Sequence, residues 1–560
     1  MAEQLTVTHE RVDDVPLLIG VMQRMGLPQV LDRHLGNHGH HQGLSNGWLA
    51  TLWLGYILSQ GDHRKSTVQD WVNRGQQMLE SLVGQPLRPV ELNDDRLEIV
   101  LHRLSKPGVW EALEQDLWQR TVVAYEIPFA RVRLDSTTAS GYHVARDDGI
   151  MRYGQSKDHR PDLPQIKLMA AAAEPAGHLM ACTVHAGNTA DDPLYLPVIA
   201  RVRQMVGRPG LLYVGDAKMA ALSTRATLIA QGDHYLVSLP ATGQTRDQQA
   251  SWITRAVEGD QPSALYWQGE HLLGAGYEFP RVQQAVVDGQ TVQWSERVLV
   301  IRSALLAREQ VRPLQARLAH AMADVWALTP PRKKGRRLYR TEEALQAAVS
   351  ETLARHEVSG LLCACWQREE ETVANGGMRV RYVITGVERD DAALERQTYR
   401  LGWRIYGTDV PIEDLPTDHA VAAYRAGWCL ERDFHLLKDR PLGISPLYVH
   451  RDDQIVGLTY LLTLAVRLLT LIETQVREQL TRSNMALSGL YAGQPARTTA
   501  QPTALRLLAA FARAEITLTR IQTGTQCVWH ITPLSALLES VLTCLGLSRS
   551  LYTQLAQDTS

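Results

Sequence analysis

Residues 129–138, FARVRLDSTT, read as a short strand that ends in a carboxylate, Asp135. Working outward, QIKLMAAAAEP (165–175) and HLMACTVHAG (178–187) read as two more strands, joined by a turn at Pro175–Gly177. TADDPLYLPVIARVRQMV (189–206) has helical spacing, with Thr189 placed to cap it. LLYVGD (211–216) is a buried-strand pattern that again ends in a carboxylate, Asp216. AKMAALSTRATLIAQG reads as a helix and HYLVSLP as a strand. Three antiparallel strands followed by alternating helices and strands indicate an α/β domain built on a mixed sheet.

The flanks differ in texture. Residues 1–125 read as a helical bundle, with Ser45 or Asn46, Ser66 or Thr67, and Asn93 or Asp94 available as helix caps. Residues 126–240 hold the first part of the α/β core. Residues 241–410 read as a β-rich insertion, with ALYWQGEHLLGAGYEF, TVQWSERVLVIRS and MRVRYVITGVE around one charged helix near EEALQAAVSETLARHE. Residues 411–480 return to helices, and 481–560 keep short helices to the end. The apolar stretch Ile455–Ile472 is interrupted by Arg467, so it reads as a buried core helix rather than a membrane span.

Composition bounds the function. The chain has 560 residues, 45% of them hydrophobic and 21% charged, which excludes a disordered or disulfide-stapled protein. The net charge of −2 means that any nucleic-acid surface must be a local patch. Six cysteines without paired metal-ligand spacing read as reduced thiols of a cytoplasmic protein. The polar, acidic N-terminus lacks the basic and apolar parts of a signal peptide. Three motifs carry little weight. Gly43-Leu44-Ser45-Asn46-Gly47 fits a nucleophile elbow but has no strand before it. His34, His38, His40 and His41 sit in a Gly-rich loop without Cys partners. Gly274 and Gly276 complete no dinucleotide fingerprint, and no phosphate-binding loop is present, so no nucleotide cofactor is expected.

Carboxylates at strand ends repel one another unless a cation neutralises them, and hard oxygen ligands select Mg²⁺ or Mn²⁺. Taken singly, Asp135 and Asp216 are equally accounted for as caps of the turns that follow them. A third acid, Glu431, lies in YRAGWCLERDFHLLKD. Read as one helix, that segment places Tyr424, Arg425, Trp428, Glu431, Phe434 and Lys438 along much of one face.

These segments resemble the catalytic core of bacterial insertion-sequence transposases with an Asp-Asp-Glu triad, and more narrowly the insertion-sequence-four type with a long N-terminal segment. The likeness is carried by RLDSTT at Asp135, YGQSKDHRPDLPQIKL from Tyr153, HAGNTADDP from His185 and LLYVGDAKMA at Asp216. That family's helix motif is Tyr, two residues, Arg, three residues, Glu, six residues, Lys. Tyr424, Glu431 and Lys438 fall at its places, while Gly427 stands where the Arg would be and Arg425 lies two residues earlier. The resemblance implies an RNase H-like fold and a metal site of Asp135, Asp216 and Glu431 holding two Mg²⁺ or Mn²⁺ ions. It implies cleavage of DNA at the element's ends and transfer of the 3′-hydroxyls into target DNA. The helical N-terminal region would recognise the terminal inverted repeats, and pairing two ends calls for a homodimer on DNA. The implied location is a bacterial cytoplasm, at the nucleoid, with no membrane partner.

DNA contacts are expected from the cluster Arg332, Lys333, Lys334, Arg336, Arg337 and Arg340, which equally suits a solvated loop. Lys438 is expected on a phosphate. Lys157 and Arg160 either contact DNA or pair within the fold with Asp158 or Asp162. Tyr424 and Trp428 either stack on a displaced base or pack internally. Two rivals remain: an RNase H-like nuclease without strand transfer, and a catalytically inactive DNA-binding protein derived from a transposase.

Overall fold

Strand β2 (Arg131–Ser140) runs antiparallel to β3 (Gln165–Glu174), which pairs with β4 (His178–Ala186) across the expected turn. β5 (Leu212–Gly215) lies on the other side of β2 and runs parallel to it. The mixed sheet read from the sequence is therefore present, in the order β4-β3-β2-β5. The computed structural model describes residues 5–37, 42–127, 129–331, 339–372, 378–524 and 526–557. The chain divides into two units, Met1–His234 with Arg425–Ser560, and Tyr235–Tyr424.

In the first unit, seven α-helices among the described residues precede the sheet: α1 (Val15–Arg24), α2 (Leu27–Leu35), α3 (Asn46–Gln60), α4 (Val68–Arg74), α5 (Gln76–Val83), α6 (Asp94–Leu104) and α7 (Val109–Tyr125). Two expected caps form: Ser45 accepts the Trp48 N–H and Asn93 accepts the Arg96 N–H. α8 (Tyr195–Val206) connects β4 to β5, and starts beyond Thr189 after a 3₁₀ turn at Asp192–Leu194. The helices of the N-terminal segment, one face of the sheet and the helix α16 (Asp452–Arg482) share one apolar core. α16 is long and apolar enough to cross a membrane, but 94% of its apolar window is buried within the protein. It passes so close to α6 that a Cβ on Gly457 would lie 2.2 Å from the Leu101 carbonyl oxygen.

The termini depart from the all-helical expectation. β1 (Leu5–Arg11) pairs with Thr517–Thr523, which pairs in turn with Gln526–Ile531. This small sheet leaves Leu5, Val7, Ile521 and Val528 exposed. Its partner strands are too far apart in the chain for local sequence pattern to announce them.

The second unit holds an antiparallel sheet in the order β6-β12-β9-β8-β7. Its strands are β6 (His234–Ser238), β7 (Ala264–Gln268), β8 (His271–Val287), β9 (Gln290–Ser303) and β12 (Trp403–Thr408). A separate hairpin pairs β10 (Leu362–Thr372) with β11 (Met378–Arg389). The expected strands are there, with more helix than the sequence announces. α10 (Gly243–Val257), α11 (Ala304–Ala327) and α13 (Asp391–Tyr399) accompany the expected α12 (Glu342–Arg355). α11 carries Pro313 inside it, the residue that normally argues against a continuous helix.

The sheet of the first unit is tied to its helices by one buried charge. Glu114 of α7 accepts the Cys182 N–H of β4 at 3.0 Å and pairs with Arg201 of α8 and Arg467 of α16. Arg467 also donates to the Leu179 and Met180 carbonyls at 3.1 and 3.2 Å, and Met180 is the extra residue where the β3–β4 register shifts. Trp110 closes the node, stacked on Tyr460 at 4.3 Å. Because Glu114 is 1% exposed, Glu114→Ala leaves the buried Arg467 guanidinium without its counter-charge and leaves part-buried Arg201 only the longer pair with Glu111 at 3.9 Å. We expect it to cost about 3–5 kcal/mol, read from urea unfolding followed by circular dichroism; a loss below about 1 kcal/mol contradicts this role for the node.

Asp14, before α1, is 3% exposed and accepts the Ser59 hydroxyl at 2.7 Å. Burial pushes its carboxyl up to about 6, only partly offset by that hydrogen bond. The folded protein thus holds this proton more tightly than the unfolded chain, so the contribution is favourable at acid pH and is lost as pH rises through about 6. Stability should fall by up to about 3 kcal/mol from this group between about pH 4 and about pH 7. Asp14→Asn should flatten that part of the pH profile of urea unfolding, and an unchanged slope refutes the assignment.

Candidate active site

The two aspartates are brought together by strand register. Val132 pairs with Tyr213 and Arg133 with Val214 in the parallel β2–β5 ladder. That 81-residue offset is the one that separates Asp135 from Asp216, so continuing the ladder sets the two side by side. Neighbouring strands stand ~4.8 Å apart. Each aspartate also does the local work expected of a turn carboxylate. Asp135 accepts the Ser136 N–H at 2.7 Å, and Asp216 accepts the Lys218 N–H at 2.9 Å. These roles coexist with the shared site.

Electrostatics mark the pair. Desolvation raises the Asp135 carboxyl above the ordinary range, and the nearby Asp216 charge adds to the rise, while Lys157 and the Ser136 N–H oppose it. The Lys157 Nζ lies 3.6 Å from Asp135 Oδ1 and 3.7 Å from Asp191 Oδ2. It donates to the Ser136 carbonyl at 2.7 Å and the Ser136 hydroxyl at 2.8 Å. Asp191 is also held by Lys167 at 2.6 Å. Burial opposes its ionisation, yet the two lysines hold its carboxyl below the ordinary range. Tyr195 of α8 donates to Asp216 at 2.7 Å. Burial and the negative charges of Asp216, Asp135 and Asp191 keep that phenol protonated.

Glu431 sits on α15 (Trp428–Lys438) and is exposed. α15 packs against β2, the strand that carries Asp135. Glu431 and the two aspartates do not form a ligand set as they stand. Among the described residues, no group of three His, Cys, Asp or Glu side chains is close enough to hold a metal ion. The donor chemistry of Asp135 and Asp216 nevertheless fits a hard divalent cation: paired carboxylates, part-exposed and already drawing a positive charge toward them.

The other candidates separate. The segment read as one helix is two, α14 (Thr417–Arg425) and α15, broken at Ala426–Gly427. Gly427 lacks the Cβ that would favour a continuous helix, and the Cys429 N–H reaches back only three residues, to Ala426. Tyr424 packs on Tyr406 with ring centroids 4.6 Å apart. Arg425 ends α14 and has a buried guanidinium nitrogen without a hydrogen-bond partner among the described residues. Trp428 is 54% exposed. Lys438 pairs with Asp158 at 2.5 Å, and Arg160 pairs with Asp162 at 2.8 Å. Arg332, Lys333, Lys334, Arg336 and Arg337 lie outside the described residues, as do His38, His40 and His41. His34 pairs with Asp116, and Arg340 is exposed.

Sequence reasoning missed Asp191, Tyr195 and Asp158 as members of this site. Asp191 and Tyr195 lie at or just beyond HAGNTADDP, and Asp158 lies in the SKDHRPD run, so the segments were visible while the partners were not.

Residues 131–468 match a family model described as a transposase DDE domain, and all three acids fall inside the match. Residues 7–115 match a model described as a domain of unknown function (DUF4277). No curated protein sequence matches the chain. A similar solved structure is the cryo-EM structure of the piggyBac transposase synaptic complex with hairpin DNA, at 10% identity and a TM-score of 0.24. That likeness covers 51% of this chain and 62% of the other.

If charge crowding at Asp135 is real, Asp135→Asn should relieve it. We expect the metal-free protein to gain a few tenths to about 1 kcal/mol in urea unfolding with chelator present, the gain being limited by solvent screening at this part-exposed group. A loss of stability instead contradicts the strained pair.

Proposed function

The chain belongs to the transposase DDE-domain family, and from that premise we propose that it is a DNA transposase that cuts at the ends of its own element and joins the freed 3′-hydroxyls to target DNA. The observation that carries this reading is that Asp135 on β2 and Asp216, just past the end of β5, are separated by the same offset as the parallel β2–β5 ladder, with the helix that bears Glu431 packed against β2. In this proposal Asp135, Asp216 and Glu431 hold two Mg²⁺ or Mn²⁺ ions. When bound, the ions supply a nucleophilic oxygen at neutral pH and neutralise the charge that builds on the phosphoryl group.

The rest falls to the chain itself. Asp216 is fixed through Oδ1 by the Tyr195 hydroxyl and the Lys218 N–H. Lys438, at the end of α15, meets a DNA phosphate. Lys157 and Arg160, beside β2, add cationic contacts. Exposed Trp428 offers a stacking face for an unpaired base, with Tyr424 and Arg425 close to it in sequence. The basic run Arg332–Arg337 supplies sequence-independent grip, so binding should weaken steeply with salt. The segment that matches DUF4277 reads the terminal repeats, and two copies of the chain hold the two ends.

The test is cleavage of labelled element-end DNA in Mg²⁺ or Mn²⁺. Wild type should nick at the end, and Asp216→Ala should bind the same DNA with nicking reduced by more than about 100-fold. Equal nicking by the variant removes the catalytic assignment. Joining of the cut 3′-end to a second DNA separates a transposase from a nuclease, and its absence alongside full cleavage contradicts strand transfer.

A further inference from the structure

Two adjacent residues next to the acids carry opposite charges, and each is already matched to a group that the proposed reaction needs. Lys157 has its ammonium between Asp135 and Asp191, where it supplies positive charge to the carboxylates. Asp158 has its Oδ1 on Lys438, the cation assigned to a DNA phosphate. Neither position is a loose surface pairing. The Lys157 N–H is held by the Thr138 hydroxyl at 2.9 Å, and its Nζ by both the carbonyl and the hydroxyl of Ser136. The other oxygen of Asp158 accepts the N–H and the hydroxyl of Ser140 at 3.1 and 3.2 Å. Ser156 ties the same turn from within, accepting the N–H groups of Asp158 and Arg160 at 3.2 and 3.0 Å. His159 turns the chain with a φ of +57°, a left-handed conformation that bulky residues rarely adopt. Lys157 and Asp158 are thereby held in one tight turn beside the C-terminal half of β2.

We propose that Lys157 and Asp158 form an internal plug, the lysine standing in for metal charge at Asp135 and the aspartate standing in for DNA phosphate at Lys438, so that the DNA-free protein holds its site charge-balanced and closed. This rests on the reading of Asp135 and Asp216 as metal ligands and of Lys438 as a phosphate contact. An ammonium 3.6 Å from a carboxylate competes directly with a divalent ion for it. A carboxylate on Lys438 likewise competes with an incoming phosphate. Metal and DNA together displace both stand-ins, which couples the arrival of one to the arrival of the other. The free protein is then spared a half-built site that cuts DNA without its second substrate.

The experiment has two arms on the full chain. In the first, Mn²⁺ binding to DNA-free protein is measured by calorimetry. Lys157→Gln should tighten it by about 10-fold or more, and Lys157→Arg, which keeps the charge, should leave it near the wild-type value. In the second, affinity for element-end duplex is measured in chelator. Asp158→Asn should tighten it by about 5-fold, and that gain should vanish in a Lys438→Ala background. Unchanged or weaker Mn²⁺ binding by Lys157→Gln, or unchanged DNA affinity of Asp158→Asn, overturns the plug. The metal reading is judged separately by Asp216→Ala. If Mn²⁺ binding survives that substitution, the metal site itself is misplaced; if it is lost there while Lys157→Gln has no effect, only the plug falls.

Discussion

Two carboxylates held at the same level of adjacent parallel strands are an unfavourable arrangement that nothing in the folding of a sheet requires. Hydrophobic pairing would serve β2 and β5 better at those positions, as it does at Val132, Tyr213 and Val214. The cost is visible in the upward push on the Asp135 carboxyl and in the lysines gathered round it and Asp191. Strain of this kind, kept on a strand against which a helix bearing a third acid packs, is the physical core of the functional account. The rest of the first unit can be understood as what holds those two strands in that register.

That support is rigid. α7, α8 and α16 converge on β4 through Glu114, and the shift in the β3–β4 register presents the backbone that Arg467 binds. α15 closes the same face of the sheet with Leu430, Phe434 and Leu437, and is anchored by Arg432 to Asp433 and Glu473. Helices so fixed leave little freedom to the strands, which is the condition for a metal-dependent site that must hold its ligands to within about half an ångström. Glu431 is the contrast. Its side chain is exposed on α15.

Much of this was legible in the sequence. The strand–strand–strand–helix–strand–helix–strand order followed from alternation and turns, because local pattern decides those features; β2, however, does not stop at Asp135 as the sequence reading has it, but runs on to Ser140. The Ser45 and Asn93 caps were legible for the same reason. What was not legible depends on distance or on a weak local signal. β1 finds its partner more than 500 residues away. α11 hides behind Pro313. The break at Gly427 turned one expected helix into two, which removes the single continuous face drawn from Tyr424 to Lys438. At the site, Asp135, Asp216 and Glu431 could be nominated by residue type and order. Asp191 and Asp158 could not, since only folding brings them to Lys157 and Lys438. For Lys157, which sequence left between DNA and an internal partner, the structure supplies internal carboxylates, though not the ones first named.

The central claim is that three acids, one on β2, one just past β5 and one on a helix, gather round divalent ions when substrate is present. A crystal of the chain with element-end DNA and Mn²⁺, examined at the manganese absorption edge, measures this directly. The account predicts anomalous peaks within about 2.5 Å of carboxylate oxygens of Asp135, Asp216 and Glu431. Manganese bound elsewhere, or ligated with the Glu431 side chain still turned to solvent, would contradict it.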